Sequence, residues 1–176
     1  EPIKRSFDVT AGYDYQYWKS TTPLYYEMNT LGEIQKTSKA KDERHVLLSY
    51  YGRLNYSFNS RYMLTTTVRR DATSRFAKNV RWGTFPSVAL GWRVTEESFL
   101  KDNKVISTLK VRASYGVTGQ QDGIGNYNYL PIYTISQSGA GSLIGDTPTP
   151  TYRPKAYVPN LKWETTTSWN MGFDFG

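Results

Sequence analysis

The sequence predicts an all-β fold: about six antiparallel strands that form part of the wall of a larger transmembrane β-barrel. Three observations carry this expectation. Apolar and polar residues alternate with period two over stretches such as 6–18 and 45–58, whereas strands of soluble domains cluster at about 5–6 residues and a strand tilted near 45° needs about 9–11 to cross the hydrocarbon. Tyr, Phe and Trp collect near strand ends on the apolar face, where a ring with a polar tip suits a membrane–water interface. The opposite face carries Arg and Lys within or at the ends of strands, which fits a wide, wet lumen better than a second packed sheet.

The first strand runs over Ser6–Trp18. Phe7, Val9, Ala11, Tyr13, Tyr15 and Tyr17 share one face, against Ser6, Asp8, Thr10, Gly12, Asp14 and Gln16, with Trp18 as the exception. The second spans His45–Phe58, with Val46, Leu48, Tyr50, Leu54, Tyr56 and Phe58 opposed to Ser49, Arg53, Asn55 and Ser57; Leu47 and Tyr51 break the pattern. Asn59-Ser60 makes a tight turn. The third strand, 61–70, alternates most weakly: Tyr62, Leu64, Thr66 and Val68 against Thr65, Thr67 and Arg69. A fourth follows Pro86, with Val88, Leu90, Trp92 and Val94 against Ser87, Ala89, Gly91 and Arg93. The fifth sets Leu109, Val111, Ala113, Tyr115 and Val117 against Lys110, Arg112, Ser114, Gly116 and Thr118. The sixth, Leu161–Phe175, places Trp163, Thr167, Trp169, Met171, Phe173 and Phe175 on one side.

The connections alternate in size: a long polar loop at 19–43, the Asn59-Ser60 turn, a medium loop at 71–81, a shorter Thr95–Lys104 link with a helical turn near Glu96-Glu97-Ser98, and the longest loop at 119–160. Outer-membrane barrels show this asymmetry, with short periplasmic turns and long extracellular loops. It assigns 6–18, 61–70 and 105–118 as outward-running strands. Six strands do not close a transmembrane barrel, whose smallest type has about eight, and an open edge in lipid leaves unpaired backbone groups. The chain also opens at Glu1-Pro2-Ile3 without a signal sequence and enters a strand pattern almost at once, which reads as the cut end of a longer chain.

Composition narrows the function classes. The 176 residues hold 15 Tyr, 7 Phe, 5 Trp and no Cys, with a mean hydropathy of -0.61. No stretch approaches the roughly 18–20 apolar residues of a spanning helix, but barrel strands bury only alternate side chains in lipid. Without Cys there is no disulfide framework or thiolate metal site, and the single His45 makes no metal cluster. The formal charge is +7. Its Lys and Arg residues are spread along the chain, so solvated loops and a polar lumen account for them better than nucleic acid does.

Several segments resemble the middle barrel of SusC/RagA-type TonB-dependent transporters. They are Tyr51-Gly52-Arg53-Leu54-Asn55-Tyr56, Arg69-Arg70-Asp71-Ala72-Thr73-Ser74-Arg75-Phe76, Phe85-Pro86-Ser87-Val88-Ala89-Leu90-Gly91-Trp92-Arg93, Leu109 to Gly119, and Asn160-Leu161-Lys162-Trp163-Glu164-Thr165-Thr166. They occur in the order the family uses, from Tyr51 to the end; the first fifty residues match only in barrel-strand character. The resemblance implies a plugged barrel of about 22 strands that imports oligosaccharides or peptides across the outer membrane of Bacteroidetes-type bacteria. It also implies a SusD-like surface lipoprotein as lid and energy delivered by TonB through an N-terminal motif. Residues 1–176 then form a partial barrel domain, without the plug, the N-terminal signal or the remaining strands. The family's corresponding strand is internal, so Phe173-Asp174-Phe175 is not read as a terminal assembly signal. Two alternatives stand beside this reading: a lidless TonB-dependent receptor for metal chelates, and a soluble β-sandwich that binds sugars through Tyr-rich loops.

No catalytic constellation, cofactor motif or metal site emerges. Adjacent Glu96-Glu97 in a short connection reads as solvated carboxylates rather than an acid/base pair. Gly119 to Gly125 lacks the strand-to-helix context of a phosphate loop. Arg53, Arg69, Arg93, Lys110 and Arg112 are expected to face the lumen, and Arg69-Arg70-Asp71 to form a charged network at a strand end. In the longest loop, Tyr127, Tyr129, Tyr133, Tyr152 and Tyr157 lie among Gly, Pro, Asn and Gln. Such aromatics suit sugar rings or protein docking, and equally suit packing within the loop itself.

Overall fold

The computed structural model describes residues 4–100, 105–135 and 141–176; the Glu1-Pro2-Ile3 opening and the end of the Thr95–Lys104 link lie outside them. In chain order the elements are β1 (Arg5–Thr22), β2 (Tyr25–Met28), β3 (Ile34–Ser38), β4 (Lys41–Phe58), β5 (Tyr62–Thr73), β6 (Trp82–Arg93), a 3-10 turn (Val94–Glu96), β7 (Leu109–Gln120), β8 (Tyr133–Ile135), β9 (Gly141–Ile144), β10 (Thr147–Pro150), β11 (Tyr152–Pro154) and β12 (Glu164–Phe175). Six of them form one sheet in the order β1-β4-β5-β6-β7-β12, while β2-β3, β9-β10 and β8-β11 are separate two-stranded ribbons within the long connections. Every neighbouring pair in the main sheet is antiparallel. The short links therefore gather at one end of the sheet and the long ones at the other.

The register makes each face continuous. One row across all six strands reads Val9, Leu54, Thr66, Val88, Tyr115 and Trp169. The adjacent row reads Asp8, Asn55, Thr65, Ala89, Ser114 and Asn170. A one-residue slip in any strand would exchange the two faces there, so the pattern specifies the register strongly. On the polar side, the Asn55 amide donates to Asp8 Oδ1 at 3.2 Å and the Thr65 hydroxyl to Asn55 Oδ1 at 2.9 Å.

Among the described residues no second layer covers the apolar side: Trp169 is 76% exposed and Met171 87%. A soluble sandwich would bury these residues against a facing sheet. Instead the face is banded. At the short-link end, Tyr62 and Trp92 both donate to Glu97 Oε1, at 2.5 and 3.1 Å, and Phe58 stacks on Tyr62 with ring centroids 6.4 Å apart. At the long-link end, Tyr50 stacks between Tyr13 and Trp82, with centroids 6.4 and 6.1 Å away. Trp82 and Trp92 are the ends of this band on β6. Their ten-residue separation is about 33 Å along the strand, or about 25 Å across a bilayer at a tilt near 40°, which matches the apolar height of an outer-membrane barrel.

Several boundaries differ from the sequence reading. β1 and β4 each run 18 residues, and their ladder continues to Thr22↔Lys41, past the β4-β5 ladder that stops at Leu47↔Thr73. Polar residues extend a hairpin arm there, because pairing with one partner needs no apolar alternation. Pro86 lies inside β6 rather than before it. The β6-β7 ladder ends at Ser87↔Gly116, next to the position whose missing N–H removes a donor. Trp163 precedes β12 and is buried on the polar side instead of standing on the apolar face. At Asn59-Ser60 both residues take left-handed φ values of 49° and 55°, as a two-residue hairpin turn with the strands' own twist requires.

Val111 pairs with Trp92 and so sits at the level of an aromatic band, whereas Val88 lies between the bands. In the assembled barrel, Val88→Arg is expected to cost roughly 2–4 kcal/mol and Val111→Arg about 0–1 kcal/mol; refolding into bilayers, followed by loss of heat-modifiable mobility on gels, measures both. The Tyr62 hydroxyl, followed by the Trp92 indole, holds the Glu97 carboxylate below its ordinary range. This contribution is present above that range and is lost as pH falls through the lowered value. Trp92 fluorescence is expected to change only below the usual carboxylate titration, and Glu97→Gln to abolish that acid transition.

Candidate functional site: the polar face and its long-loop end

Arg53, Arg69, Arg93, Lys110 and Arg112 all fall on the polar face, but the structure does not gather them. Arg53 is near mid-strand, where its Nε donates to Thr67 Oγ1 at 3.2 Å. Arg93 and Lys110 are register partners toward the short-link end, with Arg112 one row of the same face further along. Arg112 bonds Asp174 Oδ1 at 2.7 Å, and Arg93 lies 3.9 Å from Glu96. Gly91 and Gly172 are the register partners of Arg112 on either side, and the Met63 and Lys110 side chains close over Gly91.

Arg69 is at the long-loop end. Its Nε donates to both oxygens of Asp71, at 2.8 and 2.9 Å, and a terminal nitrogen donates to Ser49 Oγ at 3.0 Å. Asp71 and Ser49 are buried. The expected Arg69-Arg70-Asp71 network thus forms from alternate residues only. Arg70 points to the other face, where its guanidinium carbon lies 5.0 Å from the Trp82 ring centroid.

Above Arg69 is the chain's small buried core. Phe76, Phe85 and Trp163 meet edge to face, with Trp163 centroids 5.5 and 5.3 Å from the other two, and Leu47, Val80, Val117, Ile124 and Leu161 pack around them. The Trp163 indole donates to the Arg81 carbonyl at 2.9 Å. Two glycines make room for Phe85: a Cβ on Gly119 would lie 2.1 Å from its ring, and one on Gly83 2.5 Å. Leu47, an exception to the alternation, therefore supports this cluster. Tyr51, the other exception, lies across Gly12, whose Cβ would meet its hydroxyl. Trp18 stacks on His45 at 4.3 Å.

Arg75 binds the longest loop to this core. It donates to Asn126 Oδ1 and to the Gln121 carbonyl, each at 3.1 Å, with His45 Nε2 3.4 Å away. The segment after β5 is fixed by Ser74, whose amide donates to the Val46 carbonyl at 3.0 Å while its hydroxyl accepts from the Val46 amide at 2.9 Å. The Thr73-Ser74-Arg75-Phe76 run is thus a structural latch.

The five loop tyrosines separate into different environments. The Tyr127 hydroxyl accepts the Arg44 amide proton at 3.2 Å, and Tyr129 is half-buried. Tyr133 and Tyr152 stand on one face of the β8-β11 ribbon, where Tyr133 pairs with Pro154 and Ile135 with Tyr152; they are 64% and 68% exposed. Tyr157 is exposed beside the backbone bonds Lys155 N to Ile132 O and Val158 N to Asn128 O. The sequence reading missed a further display. Residues 19–43 carry the β2-β3 ribbon, with Leu24, Tyr25, Tyr26, Met28 and Ile34 exposed. Its signal was Asn29 three residues before Gly32: the Asn29 side chain accepts the Leu31 and Glu33 amides at 3.0 and 2.9 Å, and Gly32 takes a φ of 81°.

A family model described as TonB dependent receptor-like, beta-barrel, matches residues 3–176. The chain belongs to that family. It is part of an outer-membrane β-barrel, in a family of receptors rather than of enzymes. Over 133 residues it is 55% identical to the TonB-dependent receptor SusC of Bacteroides thetaiotaomicron, which covers 76% of this chain and 13% of SusC. It is 36% identical over 149 residues to a TonB-dependent receptor of Formosa agariphila, covering 85% of this chain and 13% of that protein. The chain thus spans about an eighth of these relatives' length. A solved structure of the RagAB peptide transporter superposes on 98% of this chain and 20% of its own with a TM-score of 0.77 at 24% identity, which shows the shared fold.

Trp163→Ala is expected to cost about 3–5 kcal/mol locally and to release the loop that Arg75 and Trp163 hold. Limited proteolysis of the assembled barrel checks this, with new cleavage between 121 and 160 as the expected result.

Proposed function

We propose that this chain is a wall segment of a TonB-dependent outer-membrane importer for oligosaccharides or peptides, working with a SusD-like surface lipoprotein. One observation carries the reading: a single sheet with one predominantly apolar face and one predominantly polar face, banded at membrane height. Such a sheet separates lipid from a wet chamber, and its open edges at β1 and β12 call for further strands of a larger barrel. Residues 1–176 are then a partial barrel domain, and the plug and the segment that contacts TonB belong to the rest of the transporter.

In this reading the long-link end faces outward. Arg53, Arg69, Arg93, Lys110 and Arg112 line the chamber, where the less engaged guanidinium and ammonium groups meet ligand or plug. Tyr133 and Tyr152, with Tyr25 and Tyr26, present aromatic faces to the lid or to the ligand. Tyr127 and Tyr129 support the loop. The segment itself carries no reaction and no cofactor: its part is to seal, to line and to dock. A peptide cargo is supported by the printed role of RagAB as a peptide transporter; an oligosaccharide cargo rests on the resemblance of the ordered segments from Tyr51 onward.

Mild-detergent extraction of the full-length protein from outer membranes, with mass spectrometry of what co-purifies, tests the proposal. A stoichiometric surface lipoprotein is the expected result; a lone barrel would favour a lidless receptor. Tyr133→Ala combined with Tyr152→Ala is expected to reduce lipoprotein recovery severalfold without changing the amount of barrel inserted.

A further inference from the structure

The apolar face of the main sheet has few charges, and all lie toward its ends. By register they are Arg5 at the short-link end, Arg70 near the long-link band, and Lys19, Asp42 and Arg44 on the hairpin arm. The arm's charges satisfy one another, with Asp42 3.9 Å from Lys19 and 2.7 Å from Arg44. Arg70 differs. It is exposed, and among the described residues it makes no ion pair. The side chains around it on that face, Tyr50, Val68, Ala72, Trp82 and Thr84, include no carboxylate.

Its posture is nevertheless defined. The guanidinium carbon lies 5.0 Å from the Trp82 ring centroid, and Trp82 is itself stacked on Tyr50. Trp82 pairs with Ala72, two positions nearer the long-link end, so the side chain leans toward the rim of the apolar band. That is how a long cationic side chain carries its head out of hydrocarbon. A guanidinium on a ring keeps its edge free, and that edge offers parallel N–H donors that fit a phosphate bidentately.

We infer that Arg70, seated on the Trp82-Tyr50 stack, binds the phosphate of an anionic lipid headgroup at the long-link rim of the barrel wall. This rests on the barrel-wall reading and is independent of what the transporter carries. Location selects the lipid over a soluble anion: the group faces bilayer, where phosphates are concentrated at the level the side chain reaches.

The test uses the full-length transporter in phosphatidylcholine nanodiscs doped with phosphatidylglycerol or monophosphoryl lipid A, with retained lipids read by native mass spectrometry. Wild-type protein is expected to retain the anionic lipid above its bulk fraction. Arg70→Gln should lower that retention about tenfold, the scale of one charge-assisted hydrogen bond, and Arg70→Lys by less. Arg53→Gln removes the same charge from the opposite face and should leave lipid retention unchanged. Trp82→Leu keeps the charge, removes its platform and should lower retention partly, a second reading if Arg70→Gln inserts poorly. Equal retention by wild type and Arg70→Gln would overturn the inference, as would equal loss in Arg53→Gln. Displacement by millimolar inorganic phosphate would overturn the lipid assignment. Heat-modifiable gel mobility reports the folded wall separately, so failure of the barrel reading is not confused with failure of this site.

Discussion

Continuous antiparallel pairing across β1, β4, β5, β6, β7 and β12 is the constraint on which the other features depend. It satisfies the interior backbone donors and acceptors within the sheet, a condition for any segment that borders hydrocarbon. It also fixes the register, and the register turns six alternating sequences into two surfaces of opposite character. Val9, Leu54, Thr66, Val88, Tyr115 and Trp169 share one row; Asp8, Asn55, Thr65, Ala89, Ser114 and Asn170 share the next. Neither surface needs a facing layer of protein when lipid lies on one side and a polar chamber on the other.

A sheet of this kind has little core with which to fix its loops, and the long-loop end solves that problem locally. Phe76, Phe85 and Trp163 close a small apolar cluster on the polar side, Gly83 and Gly119 clear space for the Phe85 ring, and Arg75 joins the longest loop to it. Backbone and side chain of Ser74 bond the same residue, Val46. Buried polar groups such as Asp71 and Ser49 are tolerated because Arg69 satisfies them. The start of the longest loop is tied to this cluster through Arg75, while Tyr133, Tyr152, Tyr25 and Tyr26 stand exposed on the two-stranded ribbons.

Much of this is legible in the sequence. The six strands and the division of Arg53, Arg69, Arg93, Lys110 and Arg112 from the apolar residues follow from period-two patterning, since successive side chains of a strand point oppositely; the tight Asn59-Ser60 turn follows from its turn residues, and the alternation of short and long links from the spacing between strands. The residues that broke the pattern were informative in another way. Strand alternation puts Leu47, Tyr51 and Trp18 on the polar side, where each has a specific neighbour: the Phe76 cluster, Gly12 and His45. The β2-β3 ribbon went unread because its strands are four and five residues long, too short for a periodic signal, and its Asn29–Gly32 turn was the only local mark.

Within the regular strands the sequence by itself determined which side chains share a face, because that depends only on the geometry of an extended chain. It determined family membership through the ordered segments from Tyr51 onward, and the absence of thiol chemistry through the lack of Cys. The tertiary structure alone decided where along the strands each group sits relative to the aromatic bands, and so that Val88 and not Val111 lies between them. It alone brought Trp163 back to Phe85, separated Arg69 from Arg70, and divided the loop tyrosines into supporting and exposed sets. Those outcomes depend on register between distant strands and on contacts across long loops, which are set by the whole assembly of pairings and not by any local run of residues.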